Sequence, residues 1–262
     1  MDYLFNNATL DAYNGNLQGA WKLDENSGTR YDVTDNGNDL TDNNTVGYAA
    51  GKDQNCADFE LSNSESLSIT DAAQTGLNIT GSITISAWIR MESLNSYSSV
   101  CAKFDTNGDQ RGYSLQVHSA GEIRFGLSPD GTSGNGVTAV SSNTVSTGTW
   151  YHIFAVYNGS TIKAYINNSE WASENYSSGI FDTSAGFRIG GRDNGGGGAG
   201  DVGDLFDGRI DELYVWDTAL SSAARGELYN NGAGTTLSYI YRFISPRLSA
   251  PVDKVPPAVL VW

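Results

Sequence analysis

The side chains best suited to binding or catalysis are oxygen donors that lie in two distant parts of the chain. In the segment DVTDNGND, residues 32–39, six of the eight side chains carry a carboxylate, amide or hydroxyl oxygen. Calcium takes about six to eight hard oxygen ligands, which a flexible loop of Asp and Asn can supply. A solvated loop that closes Asx turns on itself explains the same composition. The residues alone leave both interpretations open.

Asp211 and Glu212 form the second group, because they interrupt the apolar run RIDELYVW, residues 209–216. A carboxylate that is buried in a strand without a partner is strongly disfavoured. We therefore expect either an ion pair, for which Arg209 is the nearest base, or a metal ion at this point.

Patterns typical of catalytic sites are few. The two histidines, His118 and His152, lie in strand-like patterns, and neither HExxH nor GxSxG occurs in the sequence. The pattern GxGxxG occurs twice within residues 195–203, but no helix pattern follows it to hold a pyrophosphate. Residues 105–109, DTNGD, are similar to the start of an EF-hand loop, yet Gln110 and Gln116 stand where that loop needs Gly and Glu. We predict that the chain has no catalytic residues.

Charge and composition exclude several classes of partner. The chain has 30 acidic and 15 basic side chains, a net charge of −15 and a pI of about 4.3. Nucleic acid and anionic membrane surfaces both bind clustered Lys and Arg, so neither is expected as a partner. No apolar run reaches the roughly 18 residues that span a bilayer, so we expect no membrane insertion. Neutral sugars, divalent cations and basic partners stay open.

Cysteine content and the opening segment bear on the compartment. Cys56 and Cys101 make no disulfide framework, and we predict free buried thiols, with a single bridge as the alternative. Residues 1–16 lack the basic and apolar parts of a signal peptide. An extracellular protein whose leader has been removed and a virion-surface protein both fit this pattern.

Alternating strand patterns separated by turn residues run through most of the chain. Hairpin turns are indicated at residues 119–121 and 158–160, and a further turn at 167–168. This spacing predicts an all-β fold, a sandwich of two antiparallel sheets. The predicted core side chains are Ile83, Ile85, Ile89, Leu115, Val117, Ile123, Phe125, Phe154, Val156 and Ile166.

A few segments depart from this pattern. Residues 221–229 are predicted to form one short C-terminal helix, with Ser221 as its N-cap and the residues NNG at 230–232 as its stop. Residues 190–203 are so rich in glycine that we predict a surface loop. Residues 1–16 and the proline-containing residues 238–262 are predicted to be extended terminal arms, which leaves residues 17–237 as one domain.

Several segments resemble a known family in their order and spacing. The run FDGRIDELYVWDTALSSAARGELYNNG, residues 206–232, is similar to the closing strand and short helix of laminin-G-like jelly rolls in the concanavalin A-like lectin/glucanase superfamily. GAWKLDENSGTRYDVTDNGNDLT, residues 19–41, resembles the opening of that fold, and TWYHIFAVYNGSTIKAYINN, residues 149–168, its penultimate hairpin. The resemblance implies a two-sheet antiparallel jelly-roll sandwich.

The resemblance also implies a structural calcium ion. In this family calcium is often held between a loop of pattern DxSGNGN and the Asp of the closing Ile-Asp-Glu strand. The matching positions here are Asp32, Asn36, Asn38 and Asp211. Such an ion would join the opening loop to the last strand, so its role would be stability rather than catalysis.

One departure from the family argues against polysaccharide cleavage. The glucanases of the superfamily carry a Glu-x-Asp-x-x-Glu strand, whose acids act on the glycosidic bond. The nearest match here is RIDELY, in which Arg209 stands at the position of the leading acid. An enzyme that cleaves polysaccharides remains only as an alternative.

The leading interpretation is a non-enzymatic binding or adhesion module that recognises a glycan or a surface protein and is displayed on a virion or cell surface. Sugar sites combine exposed aromatic faces with polar loop side chains. The candidate ligand-binding residues are Tyr97, Trp171, Tyr176, Asp193 and Asn194, each of which could equally be an ordinary strand or loop residue.

The alternative from another class is a structural virion decoration protein with no glycan ligand. The end of the chain, PAVLVW, is apolar and follows several prolines. Burying a large apolar side chain contributes roughly 1.5–3 kcal/mol. We therefore predict that the C-terminal arm, residues 238–262, packs on a partner, which gives a homo-oligomer or attachment to a larger assembly.

Overall fold

The computed structural model describes residues 2–4, 8–195, 201–235 and 238–240 of the chain. Strands are β1 (Asp2–Leu4), β2 (Leu17–Trp21), β3 (Thr41–Asn43), β4 (Gly47–Ala50), β5 (Asn55–Phe59), β6 (Ser66–Ile69), β7 (Ile83–Met91), β8 (Tyr97–Asp105), β9 (Gln110–His118), β10 (Glu122–Gly131), β11 (Val137–Thr144), β12 (Tyr151–Tyr157), β13 (Thr161–Ile166), β14 (Ser169–Asn175), β15 (Phe187–Ile189), β16 (Arg192–Asp193), β17 (Val202–Gly203), β18 (Gly208–Trp216) and β19 (Ser238–Ile240). The α-helices are α1 (Ala8–Asp11) and α2 (Ser222–Tyr229), and 3-10 turns cover Asn14–Asn16, Leu61–Asn63, Asn107–Asp109 and Asn230–Gly232.

Two antiparallel sheets form a sandwich, as the sequence predicted. The front sheet has the strand order β11-β10-β9-β8-β15-β6-β3, with β16 and β17 beside the end of β8. The back sheet has the order β14-β13-β12-β7-β18-β5-β4, with β2 paired to β18. One parallel bridge, between Asp193 of β16 and Asp105 of β8, departs from the antiparallel pattern.

The inner faces of the two sheets bury the main core. Side chains alternate along a strand, so every second residue of the front and back strands points into this layer. All ten predicted core residues are buried. Phe154 and Val156, however, belong to a second, smaller cluster on the outer face of the back sheet. The sequence prediction did not separate these two layers.

The second cluster is covered by the N-terminal segment and by α2. Leu10 is fully buried there, together with Leu220, Ala224 and Leu228 at and near α2. Helix α2 begins after Ser221, whose Oγ accepts from Ala224 N at 3.2 Å, as predicted for an N-cap. Described residues of the predicted N-terminal arm therefore pack against the sandwich.

The predicted hairpin turns are confirmed. Gly121 and Gly159 close the β9–β10 and β12–β13 hairpins with φ of +83° and +90°, a region that favours glycine. At the third turn, Asn167 and Asn168 both have positive φ, of 52° and 62°, as a two-residue hairpin requires.

Two boundary predictions need correction. Strand β1 pairs with β19 in antiparallel register, from Asp2 opposite Ile240 to Leu4 opposite Ser238. Both predicted arms thus contribute a strand, while residues 241–262 of the C-terminal arm lie outside the described residues. Within the predicted glycine-rich loop, Arg192–Asp193 and Val202–Gly203 form a short hairpin.

Two remaining features of the fold are the state of the cysteines and the length of the helices. Cys56 and Cys101 are both buried and free, as predicted. Burial, together with the nearby carboxylates of Asp211 and Asp58, raises the pKa of the Cys56 thiol to about 12. Among the described residues, no helix is long and apolar enough to span a membrane.

Candidate functional site

A groove crosses the outer face of the front sheet. Its floor contains Ser114, Gly126 and Thr138, which lie opposite one another on β9, β10 and β11. A Cβ on Gly126 would lie 3.2 Å from Thr138 Oγ1 and 3.3 Å from Ser114 Oγ. Because these side chains are small, the sheet surface sinks here into a cavity of about 310 Å³. We call this cavity the front-sheet groove.

Two aromatic rings and three arginines form the walls of the front-sheet groove. Tyr97 and Phe104 lie near opposite ends of β8, and Tyr97 is 39% exposed. The Arg124 guanidinium lies 5.7 Å from the centroid of the Tyr97 ring. Those of Arg111 and Arg192 lie 5.8 and 5.4 Å from the centroid of Phe104. These are cation–π distances, so each ring is held beside a planar cation.

The carboxylate of the front-sheet groove, Asp204, is held by two of its neighbours. Arg192 Nε donates to Asp204 Oδ2 at 2.6 Å, and Gln116 Nε2 donates to the same oxygen at 2.8 Å. Gln116 also donates to Ser99 Oγ at 3.1 Å. Because such charge-assisted hydrogen bonds are short and directional, they fix this wall in place.

The arginines of the front-sheet groove differ in their partners. Arg111 Nη1 donates to Asp109 Oδ1 at 2.7 Å and to the carbonyl oxygen of Gly131 at 3.1 Å. Arg192 is paired with Asp204. The Arg124 side chain donates no hydrogen bond to, and forms no ion pair with, any described residue. It is therefore the cation of the groove whose N–H groups are free for a ligand.

A second cavity, of about 340 Å³, lies beside the groove over β6, β8 and β15. Its lining contains Arg188 and Asp193, which form a buried ion pair. Asp71, also in the lining, accepts from Lys103 Nζ at 2.7 Å. Since the charged groups are paired with each other and the described lining contains no aromatic ring, this cavity is the weaker candidate for a ligand.

The predicted ligand-binding residues of the glycine-rich segment lie on strand β16 and just after it. Asp193 is only 3% exposed, and its ion pair with Arg188 makes it a structural residue. Asn194 is exposed, and its Oδ1 accepts from Arg192 Nη1 at 3.2 Å and from Thr106 Oγ1 at 3.0 Å. Because Arg192 and Thr106 line the groove, Asn194 lies at its rim.

The three predicted aromatic residues have different surroundings. Tyr97 lines the front-sheet groove. Trp171 is 38% exposed but lies on β14, at the edge of the back sheet. Tyr176 is 7% exposed, and its hydroxyl donates to the carbonyl oxygen of Gly179 at 2.6 Å. The Tyr176 ring is therefore part of the core, which argues against the predicted role of this residue in ligand binding.

The loop at residues 32–39 uses its polar atoms internally. Asp32 accepts from the backbone N–H groups of Ala20, Thr34 and Asn38 at 2.9–3.0 Å. Asn36 and Asn38 both donate Nδ2 to the carbonyl oxygen of Gln18, at 3.0 and 2.9 Å. These are the bonds of an Asx-type loop. The amide nitrogens of Asn36 and Asn38 are therefore bonded within the protein.

Asp211 belongs to a different neighbourhood from this loop. Its Oδ2 accepts from the backbone N–H groups of Lys52 and Asp53 at 2.6 and 3.1 Å, while its Oδ1 has no hydrogen-bond partner among the described residues. The neighbouring Glu212, at a positive φ of 49°, has neither carboxylate oxygen bonded within that part of the chain. Burial raises the pKa of Asp211 to about 7 and that of Glu212 well above its usual range.

Arg209 is not the partner of these buried acids. Its Nε lies 3.3 Å from Asp58 Oδ1, and its Nη2 lies 3.6 Å from Glu92 Oε1. The ion pair expected from the sequence with Asp211 is therefore replaced by pairs with Asp58 of β5 and with Glu92, which follows β7. Glu212 faces the charges of Asp211 and Lys22 instead.

The hydrogen bonds of the four residues expected to bind calcium fall in two separate neighbourhoods. No hydrogen bond or ion pair among the described residues joins Asp211 to Asp32, Asn36 or Asn38. The same residues contain no group of three or more His, Cys, Asp or Glu side chains placed to hold a metal ion. Calcium stays a prediction, which melting curves in EDTA and in calcium would test.

Of the aromatic and arginine residues that form the walls of the groove, only Tyr97 was predicted from the sequence. Tyr97 was selected because it is aromatic, whereas Arg111, Arg124 and Arg192 have no spacing that sets them apart from ordinary surface residues. A signal was present in β9 and β10, where the outward positions hold small residues such as Ser114. Small outward residues on adjacent strands indicate a depression in a sheet.

The fold, a sandwich of two antiparallel sheets with a groove on one outer face, is that of lectin-like β-sandwiches. The chain belongs to the concanavalin A-like lectin/glucanase superfamily, because the Laminin_G_3 family model matches residues 61–224, more than half of its length. This result confirms the family that the sequence motifs resemble. Comparison with curated proteins found no match.

Similar solved structures are binding domains. The binding domain of Paraclostridial Mosquitocidal Protein 1 is 19% identical with a TM-score of 0.64, and the match covers 83% of this chain and 52% of that one. The botulinum neurotoxin serotype C1 binding domain is 16% identical with a TM-score of 0.62, and the match covers 86% of this chain and 53% of that one. A third similar structure is domain 4 of AbnA, an extracellular arabinanase from Geobacillus stearothermophilus, in complex with arabinotriose. It is 20% identical with a TM-score of 0.53, and the match covers 80% of this chain and 96% of that one. The chain spans about half the length of the toxin domains, and these identities show a shared fold.

Proposed function

We propose that the chain is a non-enzymatic glycan-binding module whose ligand lies in the front-sheet groove. The observation that carries this proposal is the exposed ring of Tyr97 beside Gln116 and Arg124, in a cavity of about 310 Å³. Sugar rings present apolar C–H faces and polar edges, so they need an aromatic surface with hydrogen-bonding groups around it. The groove offers both on a rigid sheet.

The similar structures support binding rather than another role. One is a domain of an arabinanase in complex with arabinotriose, and others are the binding domains of toxins. Since one of them belongs to an extracellular enzyme, we extend the proposal to display outside the cell. Display on a virion rests on the sequence features alone.

The composition of the groove supports a non-enzymatic role. A retaining glycosidase needs two carboxyl groups about 5–5.5 Å apart, and an inverting one needs two at roughly 6.5–9.5 Å. Among its described lining residues, the front-sheet groove has a single carboxylate, Asp204, which is already bonded to Arg192 and Gln116. The residues that hold a ligand here are therefore not arranged to cleave it.

A pair of matched aromatic variants tests the proposal. Tyr97 and Trp171 are 39% and 38% exposed, but only Tyr97 lies in the groove. On a glycan array we expect Tyr97→Ala to lose the signals of the wild-type protein and Trp171→Ala to keep them. In titrations with a glycan taken from the array, Tyr97→Ala should weaken binding about tenfold, since ring stacking and burial contribute on the order of 1–2 kcal/mol.

Three outcomes would contradict this proposal. Loss of binding in Trp171→Ala but not in Tyr97→Ala would move the site to the edge of the back sheet. Absence of any glycan signal from folded wild-type protein would favour the structural decoration protein. Release of reducing sugar from a bound polysaccharide would contradict the non-enzymatic part.

A further inference from the structure

The geometry points to an acidic sugar, one that carries a carboxylate, as the ligand of the front-sheet groove, with Arg124 as the residue that binds the carboxylate. This inference rests on the proposed function, because it names the class of glycan that the same groove takes. It is carried by the charge of the lining, by the position of Arg124 and by the partners of the other cations.

The lining of the groove is basic, whereas the chain as a whole is acidic. The whole sequence has 30 acidic and 15 basic side chains. The lining of the groove has three arginines, Arg111, Arg124 and Arg192, and one acid, Asp204. A locally positive cavity on an acidic protein attracts an anion, while the surrounding surface repels large polyanions such as nucleic acid.

The three arginines are not equivalent, and only one is free to bind. The guanidinium of Arg192 is offset by Asp204 at 2.6 Å, and that of Arg111 by Asp109 at 2.7 Å. Arg124 has no acidic partner among the described residues. An unpaired guanidinium in a half-buried position keeps N–H groups that a ligand carboxylate can satisfy.

The position of Arg124 suits a carboxylate on a sugar ring. Arg124 lies opposite Gln116 on β9 and two residues before Gly126 of the floor. Its guanidinium lies 5.7 Å from the centroid of the Tyr97 ring, and a guanidinium can donate two parallel hydrogen bonds to a carboxylate. The same Tyr97 ring remains partly exposed for the face of the sugar. One ligand unit can therefore satisfy both side chains.

The size of the cavity agrees with a short segment of glycan. Its volume of about 310 Å³ lies at the lower end of the ~300–1,000 Å³ range of small-molecule sites. The inference concerns only the sugar unit that meets Arg124 and Tyr97.

A pair of ligands that differ only in charge tests this inference. We would titrate the full chain by calorimetry with galacturonate oligomers and with the same oligomers as methyl esters, and in parallel with sialyllactose and lactose. At least one acidic ligand should bind about tenfold or more tightly than its neutral counterpart, and the difference should shrink in salt. Dextran sulfate serves as the non-carboxylate anion and should bind more weakly than the acidic sugar.

Variants then assign the effect to the groove. Arg124→Gln should remove the preference for the acidic ligand, whereas Arg90→Gln, the same charge change on the back sheet, should keep it. Gly126→Val fills the floor without touching a charge and should weaken acidic and neutral ligands alike, since its Cβ meets Thr138 and Ser114. Thermal melting confirms that each variant is folded.

The outcomes separate the two proposals. If neutral oligomers bind as well as acidic ones and Tyr97→Ala removes both, the glycan module stands and the acidic specificity fails. If acidic sugars bind but Arg124→Gln and Arg90→Gln behave alike, the assignment to Arg124 is overturned. Tightest binding to dextran sulfate contradicts a carboxylate ligand. If no glycan binds to folded protein, the proposed function itself fails.

Discussion

Single buried polar side chains decide how this sandwich responds to acid. His152 is 2% exposed on the back sheet, stacked on Trp88 with ring centroids 4.6 Å apart, and its Nε2 lies 2.8 Å from Ser86 Oγ. Burial, together with the positive charge of Lys52, lowers the pKa of His152 to about 3. The folded protein therefore holds this imidazole neutral over the whole physiological range.

We predict that His152 makes the protein lose stability below about pH 6.5, the usual pKa of an exposed histidine. There the unfolded chain takes up a proton that the folded chain cannot, so stability that is complete above pH 6.5 is lost as the pH falls towards 3. Urea unfolding at pH 7.5 and 5.0 should show that wild type loses about 2 kcal/mol more than His152→Gln.

The control for this prediction is the other histidine. His118 lies on the front sheet beside Glu122 and is partly exposed. His118→Gln should keep the larger acid-side loss of the wild type. Equal losses in wild type and His152→Gln would show that the buried ring does not control the acid response.

Prediction from sequence works unevenly at the residue scale. Tyr97 could be found because it is aromatic, and both cysteines could be recognised as free. Arg124 could not, because its importance comes from what surrounds it on neighbouring strands, and those contacts join residues far apart in the chain. The burial of Tyr176 could not be predicted, because its sequence neighbours are polar while its ring packs on Tyr157.

At the scale of elements, local chemistry fixes where strands and helices end. The hairpins at Gly121 and Gly159 were predictable because their turns need positive φ, which the sequence signals directly. The hairpin of β16 and β17 was not, because two-residue strands within a glycine-rich segment depend on pairing rather than on their own propensity. The same holds for the layer that Phe154 faces, which only the docking of α2 reveals.

The N-cap of α2 gives the prediction at this scale. Ser221 Oγ accepts from Ala224 N, so Ser221→Ala should lower the free energy of unfolding by about 1 kcal/mol. Ser222→Ala, one position further and inside the helix, changes the same atoms without removing a cap and should cost less than about 0.5 kcal/mol. Chemical denaturation measures both, and equal losses would contradict the capping role.

At the scale of the whole molecule, the sandwich has two apolar layers rather than one. The sequence resemblance predicted the layer between the sheets, since laminin-G-like patterns describe it. It did not predict that Leu10 would join Trp216 and Leu228 in a second layer behind the back sheet. A segment that looks like an arm in the sequence, because it is short and polar, is here part of the folded unit.

The N-terminal segment should therefore carry measurable stability. Leu10→Ala removes a fully buried side chain from the second cluster and should cost about 2–5 kcal/mol. The neighbouring Asp11 is exposed, so Asp11→Ala should change the free energy of unfolding by less than about 0.5 kcal/mol. If Leu10→Ala has an equally small effect in urea unfolding, the N-terminal segment does not stabilise the folded unit.

The pairing of β1 with β19 would allow the order of the chain segments to be changed by circular permutation. Asp2 lies opposite Ile240, so two points 238 residues apart along the sequence meet across one ladder. A peptide of a few residues could join them, and the ring could be reopened at the exposed turn of residues 158–160. Such a circular permutant would keep both sheets and the groove, and the same closeness would allow the sandwich to be inserted into a surface loop of another protein.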